Sequence, residues 1–146
     1  MGKDNDSAYR VAFVCVQNAG RSQMATAFAE RERDRREVGN QIKIVTGGTQ
    51  PADHVHEIVV DAMRESDIDL SNRTPREVTP EELQSVDLVI TMGCSASDVC
   101  PATWNGENRD WGLDDPDGKS IEEVRRIRDE IATRVAELFD ELSPSY

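Results

Sequence analysis

Two apolar rhythms take turns along the chain. A short β-prone run, Val11-Ala12-Phe13-Val14, follows Tyr9 and Arg10 and ends at Cys15, and Met24, Ala25, Phe28 and Ala29 then recur at helical spacing. The charged stretch Glu30 to Glu37 reads as a solvated helix tail, with Gly39 as its stop. Gln41 to Val45 reads as a second strand turned by Thr46-Gly47-Gly48-Thr49, and Val55, Ile58, Val59, Ala62 and Met63 as a second helix. After a loop through Asn72 and Pro75, Thr79-Pro80-Glu81-Glu82 combines an N-cap, a first-turn proline and a capping-box Glu, predicting a short third helix. Val86 to Met92 is the third strand. A last helix opens at Ser120, with Glu123 as reciprocal cap and Val124, Ile127, Ile131, Val135, Leu138 and Leu142 along one face.

Strands separated by helices imply parallel pairing through right-handed crossovers, hence an open α/β sandwich with helices on both faces. Ligands of such sheets bind at the carboxyl ends of the strands. Two of those ends carry cysteines, Cys15 after the first strand and Cys94 after the third.

The segment Cys15-Val16-Gln17-Asn18-Ala19-Gly20-Arg21-Ser22 joins strand to helix. A loop entering a helix aims unpaired amides at one spot and so forms a nest for an oxyanion, with Val16, Gln17, Asn18, Ala19, Gly20, Arg21 and Ser22 as its candidate binding residues. The same positive field favours Cys15 as the nucleophilic thiolate, and the Ser22 hydroxyl can donate to it. Arg21 offers a planar fork of donors to two oxygens of a tetrahedral anion.

Composition narrows the setting. A length of 146 residues suits one domain, residues 1–146, of which residues 1–9 are expected to form a flexible tail; a monomer is expected. No apolar run is long enough to span a bilayer, and the first residues lack a signal-peptide core, so the expectation is a cytoplasmic protein with reduced thiols. A net charge of −12 disfavours nucleic acid and anionic membrane as partners. Only Lys3, Lys43 and Lys119 are lysines, and such an acidic, lysine-poor composition suits a salt-rich cell interior, where screening relaxes self-repulsion.

Cys94 and Cys100, separated by five residues, form a candidate dithiol switch if the segment coils. Trp111-Gly112-Leu113-Asp114-Asp115-Pro116-Asp117-Gly118-Lys119 is an acidic turn. A carboxylic acid beside the thiol there could protonate an oxygen leaving the anion, with Asp115 the first choice and Asp114 the alternative. His54 and His56 read as loop or cap residues rather than metal ligands, Arg73 and Arg76 as surface charges, and Trp104 and Trp111 as packing under the reactive loop.

The Cys15–Ser22 loop, the Gly-Gly-Thr turn, Thr91-Met92-Gly93-Cys94 with Cys100-Pro101, and Trp111 to Pro116 together resemble an arsenate reductase of the low-molecular-weight tyrosine phosphatase fold, over roughly residues 10 to 140. The resemblance implies a four-stranded parallel sheet, its last strand near Trp111. It implies arsenate or a similar oxyanion as substrate, attacked by Cys15 and held by Arg21, with Asp115 as acid. It also implies a relay through Cys94 and Cys100 to thioredoxin or a similar dithiol reductant. The thiols supply the electrons, so neither metal nor other cofactor is expected. Many relatives have Glu at the position of Thr26, linked there to a potassium ion that also uses the Asn18 position. Two other readings share the loop: a phosphatase working through a phosphocysteine, and a non-catalytic oxyanion or redox sensor.

Overall fold

The computed structural model describes residues 8–93, 104 and 106–142. Its strands are β1 (Tyr9–Cys15), β2 (Ile42–Gly48), β3 (Leu88–Met92) and β4 (Glu107–Asp110). Its helices, numbered among the described residues, are α1 (Arg21–Arg35), α2 (Glu57–Arg64), α3 (Pro80–Leu83) and α4 (Ile121–Leu142). The strands form one sheet in the order β2-β1-β3-β4, every pairing parallel.

Alternation along β1 builds two layers. Val11, Phe13 and Cys15 face the larger core with Met24 and Phe28 of α1, Met63 of α2 and Ile131 and Leu138 of α4. Ala12 and Val14 face the opposite side, with Val78, Val86, Val89 and Leu83 of α3. Both faces of β1 are thereby covered, which is why its sequence reads as a continuous apolar run. The result is the α/β sandwich that the sequence pattern predicts, with the four-stranded parallel sheet that the resemblance implies.

The helix ends follow their local chemistry. Thr79 and Glu82 close the expected capping box on α3. Ser120 accepts from the Glu123 amide at 3.3 Å at the start of α4. By contrast α1 starts after Gly20 with no side-chain cap and no acidic residue in its first turn, so its first amides stay available to a ligand.

Four expectations need correction. Tyr9 belongs to β1 rather than to a tail, because its amide donates to the Gln41 carbonyl at 2.8 Å. Gly47 and Gly48 are the last residues of β2 rather than a turn, paired with Val14 and Cys15. Trp104 does not lie under the reactive loop: its indole donates to the Val86 carbonyl at 2.8 Å and its ring packs on the smaller core. Arg76 is more than a surface charge, since its main chain joins the site described next. Trp111, in contrast, is buried beside Phe13 of β1, ring centroids 5.9 Å apart.

Candidate active site

Cys15 ends the central strand, and residues 16–20 carry the chain into α1. The carbonyls of Cys15, Val16, Gln17 and Ala19 accept from the amides of Thr49, Gln50, Ala52 and His56 in the segment after β2. Within a trans peptide the C=O of one residue and the N–H of the next point opposite ways. The amides of Val16, Gln17, Asn18 and Gly20 are thereby turned away from that segment, and the Asn18 amide donates to Cys15 Sγ at 3.1 Å. Asn18 reaches this geometry with a φ of 52°, a left-handed conformation that Asn tolerates better than most residues. Gly48 makes room for the loop, because a Cβ there would meet the Val16 oxygen at 2.4 Å.

The hydrogen bonds around the sulfur have one consistent direction. The Arg76 main-chain N–H can only donate, and it reaches Asn18 Oδ1 at 3.0 Å. Asn18 Nδ2 then donates to Ser22 Oγ at 2.7 Å and Thr46 Oγ1 at 3.0 Å. With its oxygen accepting from Asn18, Ser22 directs its own proton to Cys15 Sγ, 2.8 Å away. Two donors therefore converge on the sulfur.

A cavity of about 380 Å³ opens above it, lined by Cys15, Val16, Gln17, Ala19, Gly20, Arg21, His56, Gly93 and Asp115. None of these lining residues is Phe, Tyr or Trp. Arg21 is held at the rim by a bond from Nη1 to the Leu113 carbonyl at 3.0 Å, with Nη2 3.8 Å from Asp115 Oδ2. Asp115 is the acid that shares the cavity, whereas Asp114 lines a separate hollow beside α4. The Asp115 carboxylate also accepts from the Asp117 amide at 3.0 Å, a turn that fixes its direction. Pro116 sits against Gly20, where an added Cβ would approach its Cγ to 2.8 Å.

Among the predicted residues, Cys15, Val16, Gln17, Ala19, Gly20, Arg21 and Asp115 line one cavity, and Asn18 and Ser22 stand behind the sulfur, both fully buried. Cys94 and Cys100 lie outside the described residues. Gly93, bonded to Cys94, borders the cavity. His56, read from sequence as a cap, is indeed the N-cap of α2, yet its ring lines the cavity 3.2 Å from Gln17 Oε1. Its position one residue before an amphipathic helix was the available signal, and that signal does not say which way the ring points.

A potassium ion of the kind the resemblance raises does not suit these side chains. Both acceptor directions of Asn18 Oδ1 are filled by N–H donors, from Arg76 at 3.0 Å and from Gln23 Nε2 at 3.1 Å. Thr26 is uncharged, and its hydroxyl is committed to the Ser22 carbonyl at 2.7 Å.

The profile described as low molecular weight phosphotyrosine protein phosphatase matches residues 10–145. The chain belongs to that family. Within it, a Halobacterium salinarum protein provisionally named as an arsenate reductase is 60% identical over 139 residues, 95% of this chain and 96% of that protein. A Brevibacillus brevis arsenate reductase is 37% identical over 126 residues, 86% of this chain and 90% of that one. The thioredoxin-dependent arsenate reductase Cg_ArsC1' of Corynebacterium glutamicum superimposes with a TM-score of 0.77 at 30% identity, covering 100% of this chain and 66% of that one.

Proposed function

We propose that this protein reduces arsenate to arsenite through a relay of three thiols, with thioredoxin or a similar dithiol protein as electron source. The observation that carries the reading is the Cys15 sulfur beneath a small polar cavity, with the Ser22 and Asn18 donors turned onto it. The names of the relatives support arsenate as substrate.

In the first step Cys15 attacks arsenic and forms an S–As bond, and a proton from Asp115 lets the displaced oxygen leave as water. The loop amides and Arg21 hold the remaining oxygens. Cys94 then attacks the Cys15 sulfur; the S–As bond breaks and its electron pair stays on arsenic, which departs as As(III) arsenite. A Cys15–Cys94 disulfide remains. Cys100 attacks Cys94, frees the Cys15 thiolate and leaves a Cys94–Cys100 disulfide, which the external dithiol reduces. The two electrons gained by arsenic are those lost by one thiol pair. Gly93 supports the handover, since it ties Cys94 by one peptide bond to the cavity wall.

A phosphatase would use the same cradle for a phosphocysteine. The polar rim of Gln17, His56 and Asp115, with no Phe, Tyr or Trp among the described lining residues, favours an inorganic anion over an aryl ester, which would gain from such a ring.

The test is arsenate turnover coupled to thioredoxin oxidation, with trapped disulfides mapped. Cys15→Ser should abolish turnover, Cys94→Ser should stop at the arsenic adduct of Cys15 before arsenite leaves, and Cys100→Ser should release one arsenite and stall at the Cys15–Cys94 disulfide, while phosphate still binds to each reduced cysteine-pair variant. Wild-type protein that releases phosphate from aryl esters but oxidises no thioredoxin with arsenate would refute the reading.

A further inference from the structure

Gln23 lies on α1 with 2% of its surface exposed and is not among the residues that line the cavity. Its carboxamide nevertheless joins the chain of donors that ends on the sulfur. Nε2 donates to Asn18 Oδ1 at 3.1 Å, the oxygen that also accepts from the Arg76 amide. Because the Asn18 atom is an acceptor, the Gln23 atom facing it must be the NH2 group, and a flipped carboxamide would set oxygen against oxygen. The arrangement leaves Gln23 Oε1 buried without a partner among the described residues. Burial of an unpaired acceptor costs about 1–3 kcal/mol, a penalty that Met or Leu on the same helix face would avoid.

We propose that Gln23 is a positioning residue for the Cys15 thiolate, acting through Asn18 and Ser22. With two donors on Oδ1, the Asn18 amide has one orientation, its NH2 group faces Ser22, and the serine proton is left for sulfur. With the Gln23 donor gone, the Asn18 amide is held against a flip by the Arg76 N–H and by Thr46 Oγ1, whose proton goes to the Phe13 carbonyl, and so by one donor fewer. A flipped Asn18 presents Oδ1 to Ser22, whose hydroxyl can turn to it and leave Cys15 with the Asn18 amide alone. On this account an internal carboxamide, and no bound cation, fixes Asn18. The proposal rests on Cys15 being the reactive thiol and is independent of the identity of the substrate.

The test uses the Cys94→Ser/Cys100→Ser protein, in which Cys15 is the remaining thiol, and reads the rate of its alkylation by iodoacetamide against pH. Arg21, His56 and Asp115 are the other titratable groups lining the cavity among the described residues, and they are kept. Gln23→Met should slow alkylation near neutral pH by roughly threefold or more and move the profile to higher pH, because fewer donors stabilise the anion. Thermal stability should hold or rise, since the orphan oxygen is removed. Gln23→Glu, which replaces the donor by an acceptor, should act in the same direction and serves if the Met variant fails to fold. Replacing KCl by choline chloride at equal ionic strength should leave the unaltered Gln23 profile in place. A profile unmoved in both variants, or one that depends on potassium, would overturn the proposal. Neither result bears on arsenate turnover, which is measured separately.

Discussion

Gly93→Ala isolates the contribution of Arg21 without touching Arg21 itself. Gly93 has a φ of +89°, a conformation that L side chains rarely adopt. Forcing Ala there costs of order 1–3 kcal/mol. The added Cβ would also lie 2.7 Å from Arg21 Nη2 and 3.0 Å from Nη1, too close for either to stay. The guanidinium must shift, and where the shift breaks its 3.0 Å bond to the Leu113 carbonyl it loses a charge-assisted contact of about 1.5–3 kcal/mol. For a chain of 146 residues, 1 kcal/mol corresponds to about 3 °C in Tm. The expected drop is therefore about 8–18 °C if none of the strain relaxes, less if Arg21 finds a new partner in solvent. The functional effect should be larger in proportion: the affinity for phosphate, measured by calorimetry, should fall about tenfold or more as the fork leaves the rim. Gly112→Ala is the control, because a Cβ there meets nothing within 4 Å. If Gly93→Ala bound phosphate as tightly as the parent, Arg21 would have no part in anion capture and the reasoning would fail.

Two further outcomes concern stability. Hydrogen bonds from Arg125 and Arg128 of α4 hold the Glu65 carboxyl at the end of α2 down to about 2. A depressed folded-state value means that this brace is fully present above the ordinary carboxylate range and is lost as pH falls through about 2. The Tm gap between the parent and Glu65→Gln should accordingly be constant at neutral pH and close between pH 4 and pH 2, and a gap that widened on acidification would contradict the assignment. With a net charge of −12, the protein should also gain Tm as KCl rises from millimolar to molar, and highest stability at low salt would count against the salt-adapted reading.

The parts legible from sequence were those with strong local signals. The apolar run of β1, the capping box at Thr79 and the Ser120 start of α4 each combine a period with a terminal residue, and each lies where those signals set it. β4 could not be read from its own pattern: Glu107-Asn108-Arg109-Asp110 has no apolar alternation, because as an edge strand it is mostly solvent-facing. Gly47 and Gly48 read locally as a turn, and only the tertiary fit of Val78 and the loop against them explains glycine inside a strand. Within the site, Cys15, Arg21 and Ser22 were visible through their spacing in one loop. Gln23, His56 and the Arg76 amide were not, since their roles depend on which way a side chain or peptide faces after distant segments meet.

The bond from residue 76 to Asn18 spans 58 positions of chain and comes from a peptide N–H. Nineteen of the twenty amino acids could donate it equally, and proline alone could not. Replacement at position 76 thereby leaves the bond to Asn18 in place, whereas the Arg76 side chain pairs with Glu82 and donates to the Thr46 carbonyl at 2.6 Å, contacts that belong to this side chain alone. Among replacements at 76, proline alone is expected to remove the N–H that Asn18 accepts.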